Sequence, residues 1–195
     1  MLRALTSLTL AGLVTVSPAT GSHGDVSSIR RYRSQVDAYV RLHKDSFDAV
    51  KRERGPLNDG NGPWQRWPVS SKHDQLDSDA GARIWRRNGQ VTLVVFTIQS
   101  DSGDWALFAS HYYRPDGSLA MLESTLNTFV GDVSVERDWY YASDGSALDF
   151  KSRCYKLGTR QRLRPCGDFY DVPVPVYRTV SKLPFYRLLR RDAPN

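Results

Sequence analysis

Apolar residues recur at steps near three and four through Ile29, Tyr32, Val36, Tyr39, Val40, Phe47 and Val50, while Arg30, Arg31, Arg33, Arg41, Lys44, Lys51 and Arg52 fill the opposite side. This is the stripe of an amphipathic helix. Ser27 or Ser28 can cap its start and Gly55-Pro56 is a stop signal, so the spacing predicts a helix over 28–53, with its weak point near His43–Ser46. Residues 55–81 carry no period and are rich in Gly, Pro, Asn, Asp and Ser, which predicts a long loop. From residue 82 onward the pattern is that of strands. Asn88-Gly89 separates Ile84-Trp85 from Val91–Ile98, a hairpin signature. The run VTLVVFTI is almost wholly apolar and β-branched, as in a central strand covered on both faces. Strands follow over Trp105–Arg114 and Leu119–Phe129, and a further hairpin joins Trp139–Tyr141 to Ala147–Tyr155. Prolines 173, 175 and 184 confine the C-terminal segment to edge strand or extended coil.

These elements predict an α+β domain over 28–195: an N-terminal amphipathic helix packed on an antiparallel, meandering β-sheet of about six strands, the meander running over 82–180. The expected core is Val91, Leu93, Val95, Phe96, Leu107, Phe108, Leu122, Leu126, Leu148 and Phe150.

The meander contains an echo. Tyr112-Tyr113-Arg114-Pro115-Asp116-Gly117-Ser118 aligns with Tyr140-Tyr141-Ala142-Ser143-Asp144-Gly145-Ser146. At the same offset Ala120, Leu122, Ser124 and Leu126 match Leu148, Phe150, Ser152 and Cys154. Alternate residues keep their character, so both hairpins present one face to one core. The tyrosine-plus-Asp-Gly hairpin resembles those of bacterial MORN-variant repeats; two copies assign no family.

Composition narrows the setting. The chain has 195 residues, 40% hydrophobic and 25% charged, with 27 Lys+Arg against 21 Asp+Glu for a net +6. That suits one globular domain and excludes a disordered tail. No apolar run reaches the roughly 18 residues of a membrane span. Residues 1–19 place Arg3 before an apolar stretch, Ala4 to Val16, and end in Ser17-Pro18-Ala19, the pattern of a secretory signal peptide. Residues 20–27 read as a flexible leader. Cys154 and Cys166 are the only cysteines, and in an exported protein they are expected to form a disulfide, worth roughly 2–3 kcal/mol by loop entropy.

The chain carries no GxSxG, P-loop, dinucleotide fingerprint or HExxH. No cofactor and no metal are expected. The catalytic candidates are His73, Asp74 and Asp77 in the loop KHDQLDSD, together with His111, which alternation places on one strand face with Trp105, Leu107, Ala109 and Tyr113. The binding candidates are Arg153, Arg160, Arg162 and Arg164 around the disulfide loop, able to fork onto carboxylate or phosphate, and the loop pair Trp64 and Trp67. The leading expectation is an exported, periplasmic or extracellular, non-enzymatic binding module for a protein partner or an anionic envelope lipid or glycan, with nucleic acid excluded by location. A small secreted hydrolase built from the 73–79 loop and His111 is the alternative. A third expectation is structural: an exposed sheet edge that pairs with another chain.

Overall fold

The computed structural model describes residues 25–53, 62–68 and 80–190. The expected signal peptide and leader, and His73, Asp74 and Asp77, lie outside the described residues. The elements run in the order α1 (Val26–Leu42), β1 (Asp48–Arg52), β2 (Trp64–Arg66), β3 (Ala80–Arg87), β4 (Gln90–Gln99), β5 (Trp105–Tyr113), β6 (Leu119–Thr128), β7 (Val133–Tyr141), β8 (Ala147–Lys156) and β9 (Arg162–Leu163). A 3-10 turn (Val180–Lys182) and the short α2 (Tyr186–Leu189) follow. All strands join one open antiparallel sheet in the order β2-β1-β3-β4-β5-β6-β7-β8-β9. The class is α+β with an N-terminal helix, as the pattern predicts, but among the described residues the sheet has nine strands rather than about six.

The additional strands come from segments with weak or ambiguous period. The helix ends at Leu42 rather than at residue 53. His43 N–H closes onto the Tyr39 and Val40 carbonyls, and Lys44-Asp45 continues the turn. Phe47 and Val50 fit a helical step, yet residues 48–52 extend and pair with β3, setting Val50 opposite Ala82. Tertiary pairing outweighs the weak local preference of DAVKR. The start is capped by Asp25, whose carboxylate accepts the Ser27 N–H at 3.2 Å, and not by a serine. Within the expected loop 55–81, Trp64–Arg66 forms the edge strand β2.

Strand β4 is covered on both sides. On one face α1 lays Ile29 and Val36 against Trp85, Leu93, Tyr112, Met121 and Tyr140. On the other, a C-terminal strap brings Leu183, Phe185 and Leu189 onto Val50, Ile84, Val94, Phe96, Tyr113 and Leu122. The sheet ends at Leu163, so the meander does not extend to residue 180, and the proline segment is extended coil crossing a face rather than an edge strand. Prolines lack N–H donors, and the strap is held through its carbonyls: Pro175 meets His111 Nε2 at 3.0 Å, and Tyr177 accepts the Tyr113 hydroxyl at 3.0 Å.

The two echoed hairpins share one turn geometry. Asp116 and Asp144 each accept the N–H of the serine two residues on, at 2.8 Å, and Gly117 and Gly145 both sit at positive φ. Their burial differs. Leu122 is buried, whereas Phe150 is 52% and Leu148 36% exposed. The first hairpin feeds the middle of the sheet and the second feeds its end, where the strap meets the turn through Arg178 and the far end of β8 through Val172 but leaves Leu148 and Phe150 exposed. Phe108, also an expected core residue, is 40% exposed because it points to the helix side beyond α1, and Val95 is half-buried. Cys154 and Cys166 are disulfide-bonded with Cα atoms 5.3 Å apart, tying β8 to the root of the strap.

Burial sets the expected cost of truncation. Phe185→Ala should lose about 3–5 kcal/mol, since its ring is enclosed by Trp64 and Phe96, while Phe150→Ala should lose under about 1 kcal/mol. Urea titration of both variants checks this, and equal losses would deny the strap its role as a core layer.

Candidate functional site

The arginines proposed from sequence divide into two kinds. Arg153 Nη2 lies 2.7 Å from Asp138 Oδ2, and Arg160 Nη2 lies 2.6 Å from Glu136 Oε1, with the Arg160 guanidinium 4.7 Å from the Tyr155 ring centre. Partial burial opposes the Arg153 charge, and the pull of Asp138 outweighs it, so its pKa is raised. Both guanidiniums are therefore already answered by carboxylates. Arg162 and Arg164 are exposed and unpaired among the described residues. Trp64 is half-buried, 5.0 Å from Phe185 and 6.1 Å from Phe96, and acts as a core cover. Trp67 is half-buried under Lys51. The tryptophans belong to the β2 edge and the arginines to the β8–β9 edge. At about 4.8 Å per strand that is roughly 38 Å along the sheet. They do not form one surface.

His111 is fully buried, packed by Phe96, Tyr113 and Tyr177. A proline carbonyl only accepts, so Nε2 carries the proton given to Pro175 and the ring is neutral. Nδ1 has no partner. Burial lowers the pKa to about 4 against the weaker opposing effect of backbone contacts, and no charged group contributes. The residue shares the Leu107, Ala109 and Tyr113 face as alternation predicts. It sits beneath the strap, closed to solvent, and works as a strap anchor.

A polar cluster joins α1 to the sheet. Arg33 Nε lies 3.1 Å from both Asp37 and Glu123, and the Tyr112 hydroxyl lies 3.0 Å from Asp37 and 3.1 Å from Glu123. Burial works against the Arg33 charge, but Glu123, Tyr112 and Asp37 together hold its pKa above the usual value. Burial raises Glu123, partly offset by Arg33, and burial with the two carboxylates raises Tyr112. Tyr112 has one proton for two acceptors, so the cluster binds helix to sheet and holds no open coordination position. Among the described residues no group of His, Cys, Asp and Glu is arranged to hold a metal ion.

Beyond this cluster the helix side of the sheet is open. One cross-strand row runs Thr97, Phe108, Thr125, Glu136, Arg153 and the next runs Gln99, Ala106, Asn127, Ser134, Tyr155. Phe108 stands on this floor, and Phe129, 72% exposed, stands at its rim beside a shallow hollow of about 160 Å³ shared with Trp105 and Leu157. Sequence reasoning missed this surface. The available signal was parity: with Leu107 and Ala109 inward, Phe108 must face the helix side, and one helix is too narrow to cover a strand of this length.

No protein-family model, no curated protein and no solved structure matches the chain.

The His111 geometry has a pH consequence. Its folded pKa, about 4, lies below the unfolded value near 6.5, so the unfolded chain binds the proton more readily. Stability should be complete above roughly pH 6.5 and fall toward pH 4 by about 3 kcal/mol, a change that His111→Gln should abolish. Denaturant titrations between pH 4 and 7.5 test this, and an identical pH slope in the variant would locate the effect elsewhere.

Proposed function

We propose that this protein is an exported, non-enzymatic binding module that holds a protein partner on the open half of its helix-side sheet face. The observation that carries the reading is the exposure of Phe108 and Phe129 on and beside a floor of short polar side chains, in a fold that buries its other central aromatic residues. Aromatic anchors within a polar rim are the ordinary composition of a protein interface. Glu136, Arg153, Arg160 and Tyr155 border the floor with paired charges, which favours a partner of mixed polarity over an anionic lipid or glycan. Arg162 and Arg164 are the unpaired cations left for an anionic ligand at that edge.

Export is supported by the signal-like residues 1–19 and by the Cys154–Cys166 disulfide, which persists in oxidising compartments. No helix among the described residues is long and apolar enough to cross a membrane.

Cross-linking mass spectrometry on the exported fraction of producing cells tests the reading. Phe108→Ser with Phe129→Ser should remove at least nine-tenths of the partner cross-links while moving the melting temperature by only a few degrees. Arg162→Ser with Arg164→Ser should leave them. The reverse result would transfer the site to the basic edge and to an anionic ligand.

A further inference from the structure

The outer edge of β8 is uncapped over most of its length. Strand β9 pairs only with Cys154 and Tyr155, so among the described residues no strand lies beside Ala147–Arg153 on that side. The direction of the backbone groups follows from two bonds. Leu157 N–H points inward to Asp132 on the β7 side, and Lys156 N–H points outward to Gln161. By the two-residue alternation of a strand, Ser152 and Phe150 present N–H and C=O outward, and the inward Asp149 N–H leaves the Leu148 carbonyl outward. The Phe150 N–H is satisfied by its own neighbour, the Asp149 carboxylate, at 2.8 Å. That is a local stopgap on an amide that lacks a strand.

The side chains along this edge are self-complementary. Asp149 and Lys151 flank Phe150 on the helix side of the sheet, Phe150 and Ser152 face the strap side, and Leu148 sits at a register shift with no cross-strand partner on β7. Laid antiparallel on a second copy about a two-fold axis through Phe150, each Asp149 comes opposite Lys151 of the other copy, twice. Phe150 meets Phe150, each donating its N–H to the other's carbonyl, and each Ser152 N–H reaches the Leu148 carbonyl across the axis. The outward groups permit only registers that pair even-numbered residues with even. Shifting the axis to Lys151 would oppose Lys151 to Lys151, so charge selects the Phe150 register. On the strap side the facing surface is Phe150, tilted at 35° against Trp139 with ring centres 5.2 Å apart. At one end β9 closes the window and at the other the Asp144-Gly145 turn does. The free length is matched to this five-residue pairing.

We propose that β8 pairs with β8 of a second copy of this chain, joining two sheets across a two-fold axis at Phe150. This rests on the edge alone and is independent of the binding role of the open face. Pairing transfers the Phe150 N–H from Asp149 to a backbone carbonyl and exchanges the Asp149 carboxylate's partner from Lys151 of its own strand, 3.5 Å away, to Lys151 of the other copy. An extended peptide from another protein could use the same edge, but the alternation of charge about Phe150 fits a copy of itself.

The test is sedimentation equilibrium of the full chain over micromolar to millimolar concentration. A monomer–dimer equilibrium is expected. Lys151→Asp should weaken it at least tenfold, because Asp149 would then face a second carboxylate across the axis. Asp149→Lys should do the same, and the exchanged double variant Asp149→Lys/Lys151→Asp should restore dimerisation to within about threefold. Ser152→Pro, which removes an outward N–H that the monomer does not use, should also weaken it. A chain that stays monomeric throughout overturns the proposal. So does a dimer indifferent to Lys151→Asp and Ser152→Pro, or one that the double exchange fails to restore.

Discussion

Strand β4 carries apolar side chains on both of its faces, and the fold is organised by the need to cover both. Leu93 needs a layer on one side and Val94 and Phe96 need one on the other. Covering one face alone would leave several large side chains in water, at about 25 cal/mol for each Å² left exposed. The chain answers with unlike layers from its two ends. The N-terminal α1 supplies a regular helix with Ile29 and Val36 inward. The C-terminal strap supplies an irregular layer that has no ladder of its own and is fastened by side chains of the sheet, His111 and Tyr113, reaching its carbonyls. Buried polar groups beneath the strap are thus part of how it is attached, and the low pKa of His111 follows from serving there rather than in a cleft.

The asymmetry of the covers decides which surface is left. A helix is about 10 Å wide, while β4 and β6, of ten residues each, run roughly 33 Å. One helix crossing such strands covers a third to a half of the face. The Arg33–Asp37–Glu123–Tyr112 cluster marks the border, where charges are half-buried at the helix flank and answer one another. Past that border the floor is polar except for Phe108 and the small Ala106. An exposed aromatic in the middle of a sheet is hard to attribute to folding, since threonine would serve the strand there without exposing a large apolar ring.

How far this was legible from sequence depended on whether a residue's fate was local. The hairpins at Asn88-Gly89, Asp116-Gly117 and Asp144-Gly145 were readable because their turn chemistry is local, and the disulfide because only one pairing was available. Residues 48–52 were not, since Phe47 and Val50 satisfy both periods and only the partner β3 decides between them. Trp64–Arg66 had no period at all and is a strand because β1 lies beside it. For the arginines, residue type was legible and partner was not: Arg153 and Arg160 looked like open forks until Asp138 and Glu136, cross-strand neighbours on β7, closed them. The exposed rows were invisible because they depend on what α1 fails to reach.

The echoed hairpins bear on the meaning of the β8 edge. If β8 merely repeated β6, its exposed Leu148 and Phe150 would be residues of a core strand carried to the end of the sheet, with no bearing on pairing. The helix-side positions argue otherwise. At the same offset, Met121 and Glu123 of β6 correspond to Asp149 and Lys151 of β8. Met121 is buried under α1 and Glu123 is held by Arg33. In β8 the apolar residue is replaced by an acid and the acid by a base, which places opposite charges symmetrically about Phe150. Escape from the helix accounts for losing the methionine. The base at the second position lies 3.5 Å from Asp149 on its own strand and faces Asp138 of β7, and the same arrangement supplies the opposite signs on the two sides of the axis that antiparallel pairing of the strand with itself requires.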